Sequence, residues 1–208
     1  MKKRIILLSL AMALVMPVFA QRDTIRSNKN EFSYGYGHMP ASSFRYRPGC
    51  FIYPETDNIG TLYVTYTRRL TKVIGIGVSA CFDPIRLNYH DRVNGESNLI
   101  CKVNENSLSL IQHLKINWLN TKYVNLYSKV APLGIRYCTY QQEEYYPDLY
   151  EIQKPFDSFA DRIDYAYQIT PIGIEVGIKQ YAGFLQVGIG MEGIICIGFR
   201  YGLMDVMD

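Results

Sequence analysis

The chain has 208 residues, of which 48% are hydrophobic and 20% are charged, and this composition excludes a disordered or low-complexity protein. The formal net charge of +3 arises at the N-terminus, because 22 basic residues less Lys2, Lys3 and Arg4 leave 19, against 19 acidic residues. The remainder of the chain is formally neutral, so charge gives no reason to expect a nucleic-acid partner.

The first twenty residues are typical of a secretory signal peptide. A short basic segment precedes an apolar run over residues 5–16, and Val18 and Ala20 place small residues at positions −3 and −1 of a cleavage site. The run is too short to cross a bilayer, and no later segment approaches 18 consecutive apolar residues. We therefore expect an exported protein with a signal peptide over 1–20, and the alternative for this segment is a buried N-terminal helix.

The rest of the chain alternates with a period of two, which indicates β-strands. The alternation is clearest in four segments, 74–82, 107–118, 172–178 and 195–203. Four less regular segments, 31–37, 59–69, 123–137 and 183–190, bring the expected number of strands to eight. Pro132 cannot donate a ladder hydrogen bond, so it predicts a bulge or a switch of register in the fifth strand.

Short and long links alternate between these strands. The short polar links are Arg69–Lys72, Asn120–Lys122 and Lys179–Ala182, and the long ones are 38–58, 84–105 and 138–164. The last link, Gly190–Gly193, lies at the same end of the predicted strands as the long links, although it is itself short. Short turns at one end and long loops at the other are typical of an outer-membrane barrel. The sequence therefore predicts an all-β fold, an eight-stranded antiparallel up-and-down transmembrane β-barrel over 31–203, after a flexible leader over 21–30.

The direction of the apolar face separates a membrane barrel from a soluble one such as a lipocalin-like carrier, whose apolar face points inward. Small residues repeatedly occupy the other face, as a narrow lumen requires; these glycines are Gly75, Gly77, Gly173, Gly177, Gly198 and Gly202. Aromatic residues lie near strand ends, where an interfacial girdle is expected; they are Tyr66, Trp118, Tyr123, Tyr181 and Tyr201. Both patterns favour the membrane barrel over a soluble periplasmic carrier.

Three segments carry a family resemblance. Residues 171–177, PIGIEVG, and 184–201, FLQVGIGMEGIICIGFRY, resemble the closing strands of small outer-membrane β-barrel proteins of the Bacteroidota type, and residues 66–77, YTRRLTKVIGIG, are similar to one of their periplasmic hairpins. The resemblance implies an outer-membrane location, with outer-membrane lipids and the barrel-insertion machinery as partners. Such barrels commonly end on an aromatic residue, whereas here a tail over 204–208 follows Leu203, so Phe199 or Tyr201 would have to serve as the insertion signal.

Several charged residues fall on the expected lumen face: His113, Lys115, Lys129, Glu175 and Arg200. The interior of an eight-stranded barrel is just wide enough for side chains, so unpaired charges there would be costly. We expect a structural salt-bridge network that fills the lumen. The alternative is a proton or ion pathway.

Other motifs predict no cofactor or metal site. Gly188, Gly190 and Gly193 match the dinucleotide fingerprint, but a strand follows them instead of a helix, so we interpret Gly190 and Gly193 as hairpin residues. The five cysteines are an odd number at wide spacing. Cys81 and Cys101 bracket the second long link, where they predict either a disulfide or two free thiols.

The long links hold the residues that could act on the outside of the cell. His38 and His90 lie there or beside it, and so do Ser42, Ser43, Asp91 and Glu96, from which an outer-membrane lipid-modifying hydrolase could be built. Tyrosine-rich acidic clusters over 141–146 and 150–151 suit contact with an extracellular ligand. We assign no catalytic residue and predict a non-enzymatic barrel with a structural or adhesion role; the hydrolase and the soluble carrier are the alternatives.

Overall fold

A computed structural model describes residues 29–40, 53–93, 96–145, 161–178 and 180–203. The predicted signal peptide, most of the leader and the tail lie outside these residues. No helix in the described part of the chain is long and apolar enough to cross a membrane.

Ten strand segments form one antiparallel sheet that closes on itself. Their bounds are β1 Asn30–His38, β2 Tyr53–Asn58, β3 Thr61–Arg69, β4 Ile74–Val93, β5 Glu96–Asn120, β6 Val124–Tyr145, β7 Arg162–Tyr165, β8 Gln168–Gly177, β9 Tyr181–Gly190 and β10 Ile195–Leu203. β1 pairs with both β3 and β10, and the pairing of β4 with β5 completes the ring. Because β2 and β7 pair with the outer parts of β4 and β6, the closed ring has eight strands in sequence order. The predicted eight-stranded antiparallel up-and-down barrel is confirmed.

The outward face of the barrel is apolar and the inward face is polar. In β3, for example, Leu62 and Val64 are more than half exposed, whereas Thr61, Thr65 and Thr67 are buried. The outward residues of β4, β5 and β10 include Ile74, Ile76, Val78, Leu108, Leu110, Leu114, Ile195, Ile197 and Phe199. A soluble carrier has its apolar face inward and its polar face outward, which is the reverse of this arrangement. The soluble-carrier alternative is therefore wrong. The continuous exposed apolar surface, which we call the belt, is that of a transmembrane β-barrel.

The aromatic residues expected at the interface all lie at the end of the barrel that carries the short turns. Tyr66, Tyr123, Tyr181 and Tyr201 are exposed there, and Trp118 is half-buried. Two ring pairs lie along this rim, Phe32 with Tyr66 at 5.0 Å and Tyr181 with Tyr201 at 5.3 Å between centroids.

Threonine side chains shape two of the short turns at this end. In the turn 70–73, the Thr71 hydroxyl accepts hydrogen bonds from the amides of Val73 (3.2 Å) and Ile74 (2.9 Å). In the turn 121–123, the Thr121 hydroxyl accepts from the amide of Val124 at 3.0 Å. These local hydrogen bonds replace ladder bonds at the reversal, which is why threonine suits a turn between two strands.

The segments expected to be long loops are partly strand, which corrects the sequence interpretation. β4 continues to Val93, β5 begins at Glu96 and β6 continues to Tyr145. Beyond the belt the alternation persists with the opposite polarity: Arg86 is exposed on the outward face, while Ile85 and Val103 are buried. Polar outward residues made these strands resemble loops in the sequence, although β4 and β5 stay paired as far as Val93 and Glu96, with one irregularity of register between Tyr89 and His90.

Pro132 lies at a bulge, as predicted. The pairing of β5 with β6 passes from Leu114–Val130 to Gln112–Leu133, so two residues of β6 face His113. Lys129 and Ala131 point inward before the bulge, and Arg136 and Cys138 point inward after it. The extra residue therefore moves the inward positions of β6 from odd to even numbers.

The suggested disulfide between Cys81 and Cys101 is wrong. Cys81 pairs with Ser109, whereas Cys101 pairs with Tyr89. Residues 81 and 89 lie eight positions apart on β4, about 26 Å at the usual rise of a strand, and a disulfide requires Cα atoms within about 7 Å. Cys81, Cys138 and Cys196 are buried and form no disulfide in the described part of the chain.

Interior glycines make room for rings on the neighbouring strands. A Cβ atom at Gly35 would lie 2.6 Å from the Tyr63 ring, at Gly77 it would lie 2.6 Å from the His113 ring, and at Gly198 it would lie 2.5 Å from the Phe184 ring. At Gly173 the Cβ would overlap the Tyr127 ring. The glycines therefore serve close ring packing, in addition to leaving space for charged side chains.

Gly173→Ala is expected to lower the free energy of unfolding by about 1–3 kcal/mol, because the new methyl group must displace the Tyr127 ring. Gly183→Ala is the matched control, since its Cβ would meet only the Gly198 carbonyl oxygen at 4.0 Å. Equilibrium unfolding in urea, in lipid vesicles, measures both variants. Equal stabilities of the two would contradict the ring packing.

Candidate functional site

The described part of the barrel interior contains ten charged side chains, each at most 8% exposed. Five are cationic and five are anionic, so the described interior is formally neutral. They are Arg69, Lys115, Lys129, Arg136 and Arg200, with Glu31, Asp83, Glu105, Glu175 and Glu192. Buried charges are tolerated only when they are paired and hydrogen-bonded, so their contacts decide what this interior can do.

The basal cluster, near the short turns, joins Glu31, Arg69, Lys115, Glu175 and Arg200. The Glu31 carboxylate contacts Arg69 at 2.7 Å, and Lys115 and Arg200 at 3.4 Å each. Glu175 is ion-paired with Lys115 and lies 3.2 Å from Nε of Arg200. Three cations thus share two carboxylates, which come from β1 and β8, two strands separated in the ring by β9 and β10.

Asparagine side chains complete the basal cluster. The Asn125 amide donates to Glu175 at 3.1 Å and to the Asn117 side-chain oxygen at 2.9 Å. Lys115 also lies over the Tyr127 ring, with Nζ 4.4 Å from its centroid. Glu175 therefore accepts hydrogen bonds from Lys115 and Asn125 and is ion-paired with Arg200, which compensates for the removal of its charge from water.

The central cluster lies farther from the turns and is built around Glu192. Glu192 accepts hydrogen bonds from Lys129 at 2.5 Å, Gln186 at 2.6 Å and Ser79 at 2.9 Å. The Tyr127 hydroxyl donates to the Gln186 side-chain oxygen at 2.9 Å. This network connects β4, β6 and β9 through the middle of the barrel.

Glu192 reaches the interior because the turn 191–194 folds into the mouth of the barrel. Met191 and Glu192 are buried, and the Glu192 amide donates to the Gln168 side chain at 3.0 Å. The flanking Gly190 and Gly193 have φ values of 147° and 119°, which other residues rarely adopt. No helix follows them, since β10 begins at Ile195, so their interpretation as hairpin residues is confirmed.

An apolar layer separates the central cluster from the outside. It consists of Cys81, Ile111, Ala131, Ala166, Met191 and Cys196, all buried. Beyond it lies the outer cluster, in which Arg136 contacts Glu105 at 2.9 Å and Asp83 at 3.8 Å. Polar side chains interrupt this layer, because the buried Ser109 and Gln168 pair with Cys81 and Ala131 respectively.

A small cavity remains between the basal and central clusters. Its volume is about 20 Å³, and its lining includes Ser33, Thr65, Thr67, Lys115, Lys129 and Phe184. A void of this size holds about one water molecule. The cavity has no room for an organic substrate.

The structure places all five residues of the expected lumen network in the interior. Lys115, Glu175 and Arg200 belong to the basal cluster and Lys129 to the central cluster. His113 stands between them, with its Nε2 atom 3.0 Å from the Thr67 hydroxyl. Sequence reasoning missed Glu31, Glu192, Arg69 and the outer cluster.

The residues considered for a hydrolase are not brought together in the described structure. His38 and His90 lie on different parts of the sheet. Gly37, next to His38, pairs with Thr61 at the start of β3, whereas His90 pairs with Tyr53 at the start of β2. Asp91 pairs with Asn98, and Glu96 pairs with Val93, near the tip of the β4–β5 hairpin. Ser42 and Ser43 lie outside the described residues, as do the acidic cluster 150–151 and residue 146.

Comparisons with known proteins give a remote structural likeness. No family model matches the chain, and no curated protein matches it. Among solved structures, the chain is similar to Ail, the attachment invasion locus protein of Yersinia pestis, with a TM-score of 0.37 and 10% sequence identity over 82% of this chain and 91% of that chain.

Proposed function

We propose that this chain is a small, non-enzymatic outer-membrane β-barrel of the Bacteroidota type that holds a rigid sheet outside the cell for contact with an extracellular ligand. The observation that carries the proposal is the continuation of β4, β5 and β6 beyond the belt, with inverted polarity. Its location rests on the signal-peptide pattern and on the belt, since barrels of this kind are outer-membrane structures.

The outer sheet consists of β2 and the distal parts of β4, β5 and β6, in the order β2-β4-β5-β6. A membrane-crossing strand needs about 9–11 residues, whereas β5 has 25 and β6 has 22. β5 therefore has at least 14 residues, and β6 at least 11, more than a crossing of the bilayer requires. Long extramembrane strands are not needed to anchor a barrel, so we assign them to a role in the medium.

The outward face of the outer sheet offers groups suited to a polar ligand. Arg86 and Gln141 are exposed, and Lys102 and Asn104 are partly exposed beside them. Arg86 pairs with Asn104, which pairs in turn with Gln141, so these side chains form a row across three strands. A row of amides and a cation on a rigid support can hydrogen-bond a ligand with little loss of conformational entropy.

Surface labelling tests the orientation. Cysteine introduced at Gln141 is expected to react with a membrane-impermeant maleimide on intact cells, and cysteine introduced at Thr121, in a short turn, is expected to react only after the outer membrane is permeabilised. The unaltered protein gives the background from its own thiols. The opposite labelling pattern would show that the barrel is inverted.

Trimming the outer sheet tests binding. Asn88 and Lys102 pair directly, so residues 89–101 can be replaced by an Asn-Gly turn without changing the register. Cells carrying the trimmed protein should adhere less to serum-coated glass than cells carrying the full chain, with uncoated glass and cells lacking the protein as controls. Equal adhesion of trimmed and full-length protein would contradict a binding role for residues 89–101, the distal part of the outer sheet.

The pure protein is expected to give no large, steady conductance in planar bilayers. The charged side chains of the basal and central clusters occupy the described interior around a cavity of about 20 Å³, so we expect no continuous aqueous path across the barrel. Single-channel recording measures this directly. Reproducible nanosiemens steps would mean that the lumen is open or that several copies form a pore.

A further inference from the structure

The belt contains a polar side chain far from either rim. On β5 the outward residues run Leu108, Leu110, Gln112, Leu114 and Ile116, so Gln112 is flanked on both sides by leucines. Gln112 is exposed on the lipid-facing surface. Its paired neighbours across the sheet are Val78 on β4 and Leu133 on β6, which are also exposed and apolar.

The Gln112 amide has no hydrogen-bond partner among the described residues. Ser128, the other polar non-aromatic residue in the body of the belt, donates its hydroxyl hydrogen to the Pro171 carbonyl oxygen at 2.5 Å. Hydrocarbon offers no hydrogen bonds, so an exposed amide at this depth carries a cost that Ser128 avoids. A protein partner with an amide at the same depth would remove that cost.

We propose that two copies of this chain associate in the membrane through the β4–β5–β6 face, with the Gln112 amides of the two copies hydrogen-bonded to each other. The proposal rests on the membrane placement proposed above. A carboxamide has both a donor and an acceptor, so two of them form a self-complementary pair.

Symmetry favours a second copy over another occupant. Copies inserted in the same direction are related by a two-fold axis along the membrane normal, and rotation about that axis preserves depth. Each Gln112 therefore meets its equivalent at the same level, as an isologous interface requires. Ala80, on the outward face of the adjacent strand, is small enough to let the two sheets approach.

Resonance energy transfer between donor- and acceptor-labelled copies in liposomes tests the association over a range of protein-to-lipid ratios. The unaltered protein should show transfer above the level of random proximity. Gln112→Leu should need about a tenfold higher protein-to-lipid ratio for the same transfer, because it removes the amide pair and keeps the apolar surface. Ser128→Ala is the matched control and should leave the transfer unchanged, since its hydroxyl is bonded within its own chain.

Three results would overturn the proposal: random transfer in the unaltered protein, equal transfer in Gln112→Leu, or an equal loss in Ser128→Ala. Cross-linking of monomeric protein at position 112 to a different membrane protein would also reject the two-copy interface. Heat-modified mobility of each reconstituted sample is measured first. A protein that does not fold into liposomes contradicts the proposed membrane placement itself, whereas a folded monomer contradicts only the association.

Discussion

Glu31→Gln should lower the free energy of unfolding by about 3–5 kcal/mol, the largest effect expected from a single interior substitution. Glu31 is 1% exposed and contacts Arg69, Lys115 and Arg200. Glutamine preserves the shape but removes the charge, which leaves three buried cations with Glu175 as the remaining carboxylate of the basal cluster. Urea unfolding in lipid vesicles, followed by the fluorescence of the single tryptophan, measures the loss.

Asp164→Asn is the control for the loss of an ion pair near the surface. Asp164 lies 2.9 Å from Arg162, and both side chains are about one-third exposed. Exposed pairs contribute at most about 1 kcal/mol, so this variant should change stability little. The double variant Glu31→Gln with Arg69→Met restores the balance of charge and should recover part of the loss. Similar losses for Glu31→Gln and Asp164→Asn would contradict the basal cluster as a source of stability.

Ile76→Arg should lower the free energy of unfolding in vesicles by about 2–4 kcal/mol, because it places a guanidinium on the lipid-facing surface. Ile76 is 45% exposed and lies within the belt between Ile74 and Val78. Gln141→Arg makes the same chemical change on the outward face of the outer sheet, in water, and should have little effect. If the two variants lost equal stability, the lipid-facing assignment of β4 would be wrong.

The sequence predicted the barrel because its membrane-crossing part obeys one rule throughout. Lipid outside and a narrow lumen inside force alternation, from which the eight predicted segments follow, whereas the bulge follows from Pro132, which cannot donate a ladder hydrogen bond. The outer sheet was missed because water lies on its outward face. There Arg86 and Lys102 replace the aliphatic residues, while Ile85 and Val103 occupy the inward positions.

The interior network was predicted in part, and the missing members could have been inferred from charge. The five residues assigned to the lumen contain three cations, Lys115, Lys129 and Arg200, but only one carboxylate, that of Glu175. A neutral interior therefore required two further carboxylates, which Glu31 and Glu192 provide. Glu31 was overlooked because it begins a strand next to the polar leader, and Glu192 because a turn residue is ordinarily assigned to the surface.

The partners in the basal cluster have a consequence for the order of folding. Glu31 is in the first strand and Arg200 is in the last, 169 residues later, and their contact exists only when β1 meets β10. The entropy of closing so long a loop is lost before this contact can contribute. While the sheet is incomplete, the charged side chains of the interior therefore remain hydrated. Their water is removed when β1 pairs with β10 and the barrel closes. Folding of this barrel should be cooperative, with its final strand pairing as the step that makes the interior dry.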